Sequence, residues 1–101
     1  METEYEVAWT PRALRSLQEV VSNIARNSLR AAERLKKALL KSADRLQRSP
    51  FFGAVSTSDP NEVIRELVCK RYRVFYRVWE HEGKVEVLLV WHSARREPDL
   101  L

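Results

Sequence analysis

The hydrophobic period of this chain changes once, and that change limits the possible folds more than any other feature. Between Pro11 and Arg48 the apolar residues recur every three or four positions, the rhythm of helices packed on one side. Between Val63 and Trp91 the chain turns to β-branched and aromatic residues in short alternating runs, the rhythm of strands. Helices first and strands afterwards argue for an α+β domain rather than a parallel α/β sheet.

The local signals fill in the order. Tyr5, Val7 and Trp9 alternate with Glu4, Glu6 and Ala8, which predicts a first strand. Thr10-Pro11 follows as an N-cap with proline at the first helical position, where its missing N–H costs nothing. Leu14, Leu17, Val21 and Ile24 mark the inner face of this helix, and Asn27-Ser28 breaks it. A second helix over 29–48 places Ala32, Leu35, Leu39, Ala43 and Leu46 inward and a row of arginines and lysines outward. Ser49-Pro50 stops it. Residues 51–62 read as a loop, with some ordered packing expected from Phe51 and Phe52. Strands are expected over 63–69, 72–79 and 84–91, the last two joined at Glu82-Gly83. The expected order is β-α-α-β-β-β, a helical hairpin packed on one face of a small antiparallel sheet. With 101 residues, the whole of 1–101 forms one domain.

Composition excludes several function classes. Two glycines leave no material for a glycine-rich phosphate loop. One cysteine, Cys69, permits neither an internal disulfide nor the usual zinc cluster, and it reads as a buried strand residue rather than a reactive thiol. No apolar run approaches the ~20 residues of a membrane helix. The start, METEYEV, lacks the pattern of a signal peptide, so a cytoplasmic location with no membrane partner is expected.

The net charge is +4, and residues 63–79 alone carry a net +4. In the 72–79 strand, Tyr72, Val74, Tyr76 and Val78 form one face, which suits the helices. Arg71, Arg73, Phe75, Arg77 and Trp79 form the other, read as a basic and aromatic surface too polar for a core. Guanidinium groups interleaved with aromatic rings suit nucleic acid or an acidic partner. A solvated face with cross-strand ion pairs is the alternative. Arg65, Arg71, Arg77 and Arg96 are the candidate partner-binding residues.

Three stretches then resemble a known family: Arg65-Glu66-Leu67-Val68, Tyr72-Arg73-Val74-Phe75-Tyr76-Arg77-Val78, and Val87-Leu88-Leu89-Val90-Trp91-His92-Ser93-Ala94-Arg95. Together they are similar to the C-terminal half of RelE/ParE toxins, the growth-arresting halves of toxin–antitoxin pairs. The Tyr-x-Val strand and Thr-Pro helix entry resemble that family's start. The resemblance implies a cognate antitoxin whose C-terminal segment wraps the toxin. It also implies one of two targets, DNA gyrase (ParE-like) or mRNA on the ribosome (RelE-like).

For a metal-independent endoribonuclease, the resemblance assigns Arg73 to the scissile phosphate, His92 to acid or base work, and Arg95 to a phosphate clamp. No metal or cofactor is implied. His92 could instead only hydrogen-bond to hold the C-terminal segment. RelE-like nucleases often carry lysines on the strand before the central one. Here those positions read Ile64 and Glu66, which tilts the expectation toward gyrase inhibition. A non-toxic RNA- or protein-binding module on the same fold is the remaining alternative.

Overall fold

The computed structural model describes residues 4–100. Strand β1 spans Glu6–Trp9, helix α1 Pro11–Ala25 and helix α2 Leu29–Asp44. A 3-10 turn, Arg45–Gln47, ends the second helix. Four strands follow: β2 (Ala54–Val55), β3 (Ile64–Cys69), β4 (Tyr72–Trp79) and β5 (Lys84–His92). The α+β architecture and the helical hairpin are as expected, and the short strand β2 adds to the predicted order.

Both helices start where their caps place them. The Thr10 hydroxyl accepts the Ala13 N–H at 3.0 Å, and the Ser28 hydroxyl accepts the Ala31 N–H at 3.1 Å. Each satisfies a donor that the first turn leaves unpaired. The inner face of α1 differs by a fraction of a turn from the expected stripe. Ala13 and Leu17 are buried while Leu14 is half exposed. On α2 and the 3-10 turn that ends it the expected residues all go inward, and Leu39, Ala43 and Leu46 are fully buried. Full burial of a leucine side chain contributes roughly 1.5–3 kcal/mol.

The sheet runs in the order β1-β5-β4-β3-β2. The neighbours from β2 to β5 pair antiparallel, but β1 lies parallel to β5, with Glu6 opposite Lys84 and Trp9 opposite Val87. The sheet is therefore mixed rather than purely antiparallel. Connectivity permits the parallel pairing. The hairpin α1–α2 crosses the sheet between β1 and the other strands, and such a crossover returns the chain in either direction. Between β4 and β5 the turn is a 3-10 segment, Glu80–Glu82, closed by Gly83 at φ 60°. Only glycine takes that left-handed backbone without a Cβ penalty.

A bulge in β5 decides which residues face the helices. Phe75 lies opposite Leu89, but the next β4 residue, Tyr76, lies opposite Val87, so Leu88 is the extra residue. Strict alternation would put Val87 and Leu89 on one face. The bulge instead sends Val85, Val87 and Val90 into the helix-side core and Leu89 to the opposite face. The start of α1 is tied to this point. Thr10 donates its N–H to the Val87 carbonyl at 3.0 Å, and the Val90 N–H donates to the Ser16 hydroxyl at 2.9 Å.

Tyr72, Val74, Tyr76 and Val78 face the helices, as their alternation predicts. The opposite face corrects the expectation of a wholly polar surface. Ile64, Phe75 and Leu89 form a second buried cluster there, with Leu88, Trp91 and Leu100 against it. Cys69 is buried on β3 as a free thiol. No helix among the described residues is long and apolar enough to cross a membrane.

Candidate functional site on the open face of the sheet

Arg73, near the start of the central strand β4, lies on this open face between Val68 of β3 and Trp91 of β5. Its side chain is only 12% exposed. Two carboxylates hold it. Glu97, from the segment after β5, accepts from both terminal nitrogens at 3.1 and 3.2 Å. Glu66, on β3, approaches to 3.5 Å. Phe75 lies 5.1 Å below the guanidinium. Burial works against the charge of Arg73, but the Glu97 and Glu66 carboxylates outweigh it and hold the guanidinium above its ordinary range. The hydrogen bonds from Ser58 and from Arg73 hold the Glu97 carboxyl below its ordinary range.

The remaining arginines expected to bind a partner have mostly structural contacts. Arg65 donates to the Gly53 carbonyl at 2.6 Å and stacks on Phe51, so it fastens the loop before β2. Arg77 stacks on Trp79 at 3.8 Å, while the Trp79 indole N–H donates to Glu86. Arg71 is exposed in the turn between β3 and β4, where its carbonyl accepts the Ser93 N–H. The Arg96 carbonyl accepts the Trp91 indole N–H at 3.0 Å. Phe51 and Phe52 are both exposed, each under an arginine, Arg65 and Arg45 respectively.

Of the three residues proposed for ribonuclease chemistry, His92 and Arg95 border one groove, and Arg73 is not among its lining residues. Arg73 is on the open face. His92 pairs across the ladder with Tyr72, whose side chain is on the helix side, and the two rings meet edge to face at 5.1 Å. Neighbouring residues of a strand point to opposite faces, so His92 and Arg73 are directed to different sides of the sheet. His92 Nδ1 accepts the Ala94 N–H at 2.9 Å and so closes the turn after β5. Arg95 stacks on Trp91 at 4.0 Å, on the Arg73 side. His92, Arg95 and Tyr72 line a groove of 720 Å³ beside α1, which Arg12, Arg15 and Arg26 also border.

Two features of the site left little trace in the sequence. Glu97 is a single acid in a polar tail, and its pairing with Arg73 spans 24 positions. Asp59 is buried and accepts the N–H groups of Asn61, Val63 and Ile64 at 2.8–3.0 Å, which shapes the loop beneath Glu97. The sequence marks 51–62 as a loop, but not which donors Asp59 gathers.

The sequence model of the family described as "ParE toxin of type II toxin-antitoxin system, parDE" matches residues 7–97. This chain belongs to that toxin family. The toxin is also 33% identical over 90 residues to Toxin RelE2 of Caulobacter vibrioides, covering 89% of this chain and 97% of the relative. Its fold is similar to that of a chain in the structure of a chromosomal ParDE system from P. aeruginosa, with TM-score 0.74 at 16% identity, covering 88% of this chain and 96% of the other. It is likewise similar to that of a chain in the RelBE2 toxin–antitoxin complex of Mycobacterium tuberculosis, with TM-score 0.69 at 22% identity, covering 94% and 98%. The toxin is therefore a member of the RelE/ParE superfamily and the toxic half of a type II toxin–antitoxin pair.

Proposed function

We propose that this toxin arrests growth by inhibiting DNA gyrase through protein contact, and that it cuts no RNA. The observation that supports this reading is the separation of Arg73 from His92. A ribonuclease of this kind must place the phosphate-holding group and the proton-transfer group around one phosphodiester. Here Arg73 is clamped between two carboxylates on one face of the sheet, while His92 is turned toward Tyr72 on the other. Gyrase inhibition asks only for a surface, and the toxin would need no catalytic group, metal or cofactor for it. A cognate antitoxin would keep it in check in the cytoplasm.

A ribosome-dependent endoribonuclease is the second reading. One observation favours it: Arg95 lies on the same face as Arg73, so two guanidinium groups could share a phosphate once Glu97 moves away.

The test is brief induction in a bacterium lacking the antitoxin, with DNA and protein synthesis pulse-labelled in parallel. Early failure of DNA synthesis with a DNA-damage response is expected. Early failure of protein synthesis would reject the gyrase reading. The double variant Arg73→Ala/His92→Ala, checked for folding by circular dichroism, is expected to keep most of its toxicity. Loss of toxicity in the folded variant would favour the nuclease.

A further inference from the structure

The charge of this toxin is not spread evenly over its surface. Residues 11–48, the helical hairpin and the turn that ends it, hold ten basic and three acidic residues, a net +7, against +4 for the whole chain. Seven of the ten lie between Arg30 and Arg48. Burial of Ala32, Leu35, Leu39, Ala43 and Leu46 fixes the roll of α2, and the opposite side is then Arg30, Arg34, Lys37, Lys41, Arg45 and Arg48. All six are exposed. At 1.5 Å per residue they form one row about 27 Å long.

A row of one sign weakens the helix that carries it. Arg30 and Arg34, Lys37 and Lys41, and Lys41 and Arg45 are like-charged neighbours four positions apart, a spacing at which they repel. The first turn of α2 holds no acid, so Arg30 also opposes the positive end of the helix dipole. Among the described residues neither Glu33 nor Asp44, the acids of this stretch, forms an ion pair. Arg48 pairs with Glu4, but both side chains stay more than half exposed, and such a contact is weak. A solvated helix face needs charge, yet mixed signs supply it without repulsion. A one-signed row of this length is stabilised when a polyanion lies along it. Where the row ends, Lys41, Arg45 and Arg48 border a concavity of 610 Å³, which Ser42, Ser49 and Asp44 also border.

We propose that the outer row of α2 is a docking surface for duplex DNA, held through its phosphate backbone without regard to sequence. Arginines and lysines on a ridge neutralise phosphates and position a duplex, and they need read no base. A single strand is held by aromatic platforms under its bases, and α2 has no aromatic residue. Phe52, near the end of the row, already lies under the Arg45 guanidinium at 4.7 Å. The ridge of a helix enters the major groove of B-form DNA, about 12 Å across, but not the narrow one of duplex RNA. The row covers most of one duplex turn of about 34 Å, so several phosphates come within its reach. The helices cover the side of the sheet opposite the Phe75 cluster, so this contact is separate from the Arg73 site. At gyrase, the row would rest on the duplex that the enzyme holds. That clause alone rests on the proposed target, whereas the DNA contact does not.

The experiment uses the full chain and a fluorescein-labelled DNA duplex of mixed sequence, about 20 base pairs long. Binding is followed by fluorescence anisotropy as salt is raised. Wild-type toxin is expected to bind at micromolar concentration in low salt, with log K falling against log salt at a slope of about −4 or steeper. Lys37→Gln/Lys41→Gln should weaken binding roughly tenfold in low salt and flatten the slope by about 2. Because it removes a repelling pair, this variant should be at least as stable as wild type in a urea melt, so lost folding does not imitate lost binding. Lys70→Gln/Lys84→Gln removes the same charge elsewhere and is expected to stay within about twofold of wild type. Absence of binding in low salt would overturn the proposal, as would an equal loss in the two double variants. Tighter binding of an RNA duplex of the same sequence would overturn it too. So would polyglutamate that displaces the labelled DNA as well as unlabelled duplex does, which assigns the row to an acidic protein. No gyrase is present, so failure here leaves the proposed target standing, and failure of that target leaves the DNA contact standing.

Discussion

Replacing Tyr76 by phenylalanine removes a single oxygen from the centre of this protein, and the structure indicates what that oxygen is worth. The ring of Tyr76 is fully buried against the helices, where phenylalanine fills the same space. The lost atom is the acceptor of the Gly53 N–H at 2.8 Å, in a buried bond that joins the loop before β2 to β4. The backbone around Gly53 is tight. A Cβ built there would lie 2.5 Å from the Glu66 carbonyl oxygen, so the loop has little freedom to turn its N–H toward solvent. The variant should therefore leave a buried donor unpaired, at a cost of about 1–3 kcal/mol. For a domain of this size each kcal/mol lowers Tm by roughly 4–8 °C. Urea unfolding followed by circular dichroism should show a lower midpoint with an unchanged slope, since the surface exposed on unfolding is the same. Burial also raises the Tyr76 phenol above its ordinary pKa, with the Gly53 N–H acting against that rise. Stability from this group is thus complete below the ordinary tyrosine range and is lost as pH rises through the raised value. A Tyr76→Phe protein as stable as wild type, within about 0.5 kcal/mol, would refute the reasoning and show that the Gly53 N–H finds another acceptor.

Three further outcomes follow from the same structure. Gly53→Ala should cost about 1–3 kcal/mol in a urea melt, because the new methyl meets the Glu66 carbonyl and, at 2.7 Å, the Tyr76 hydroxyl. Thr10→Ala should cost about 1 kcal/mol by removing the acceptor of the Ala13 N–H, and Thr10→Ser should recover most of it. The Asp59 carboxyl is held below its ordinary range, first by the Ile64 N–H and then by those of Asn61 and Val63, and Glu97 is lowered by Ser58 and Arg73. Both groups contribute stability above the ordinary carboxylate range, and it is lost as pH falls through their depressed values. Acid melts should therefore show stability falling below about pH 4, and Asp59→Asn should flatten that fall.

The sequence disclosed the elements more readily than their relations. Period 2 over 4–9 and 63–91 and period 3.6 over 11–48 are local properties, so four strands and two helices could be located from them. The two-residue β2 is too short to show any period, and it exists only because β3 offers an edge at Glu66 and Arg65. The parallel pairing of β1 with β5 joins residues 78 apart, and nothing in four residues names a partner so distant. The bulge at Leu88 hid the division of β5, since a run of Val, Leu and Trp reads the same whichever face each residue takes. The second apolar cluster was obscured for a related reason. Phe75 stands among arginines, and its partners, Ile64, Leu89 and Leu100, come from three other parts of the chain. At the site, Arg73 was recognisable from its motif. Its clamp was not, because the register of β3 places Glu66 near it and only the returning tail brings Glu97.

The sheet's strand order carries a further consequence, for the time at which the protein becomes a protein. The strand made first, β1, bonds to β5, the last of the described strands to be made. Both helices also rest on strands that follow them. During synthesis the hairpin emerges with an apolar face and no sheet to cover, and β1 waits with an unpaired edge until Lys84–Val87 are exposed. Folding that depends on such distant contacts is slow and close to all-or-none. A nascent chain of this toxin should thus be inert until translation has passed β5, and its poison is delivered only as a finished molecule.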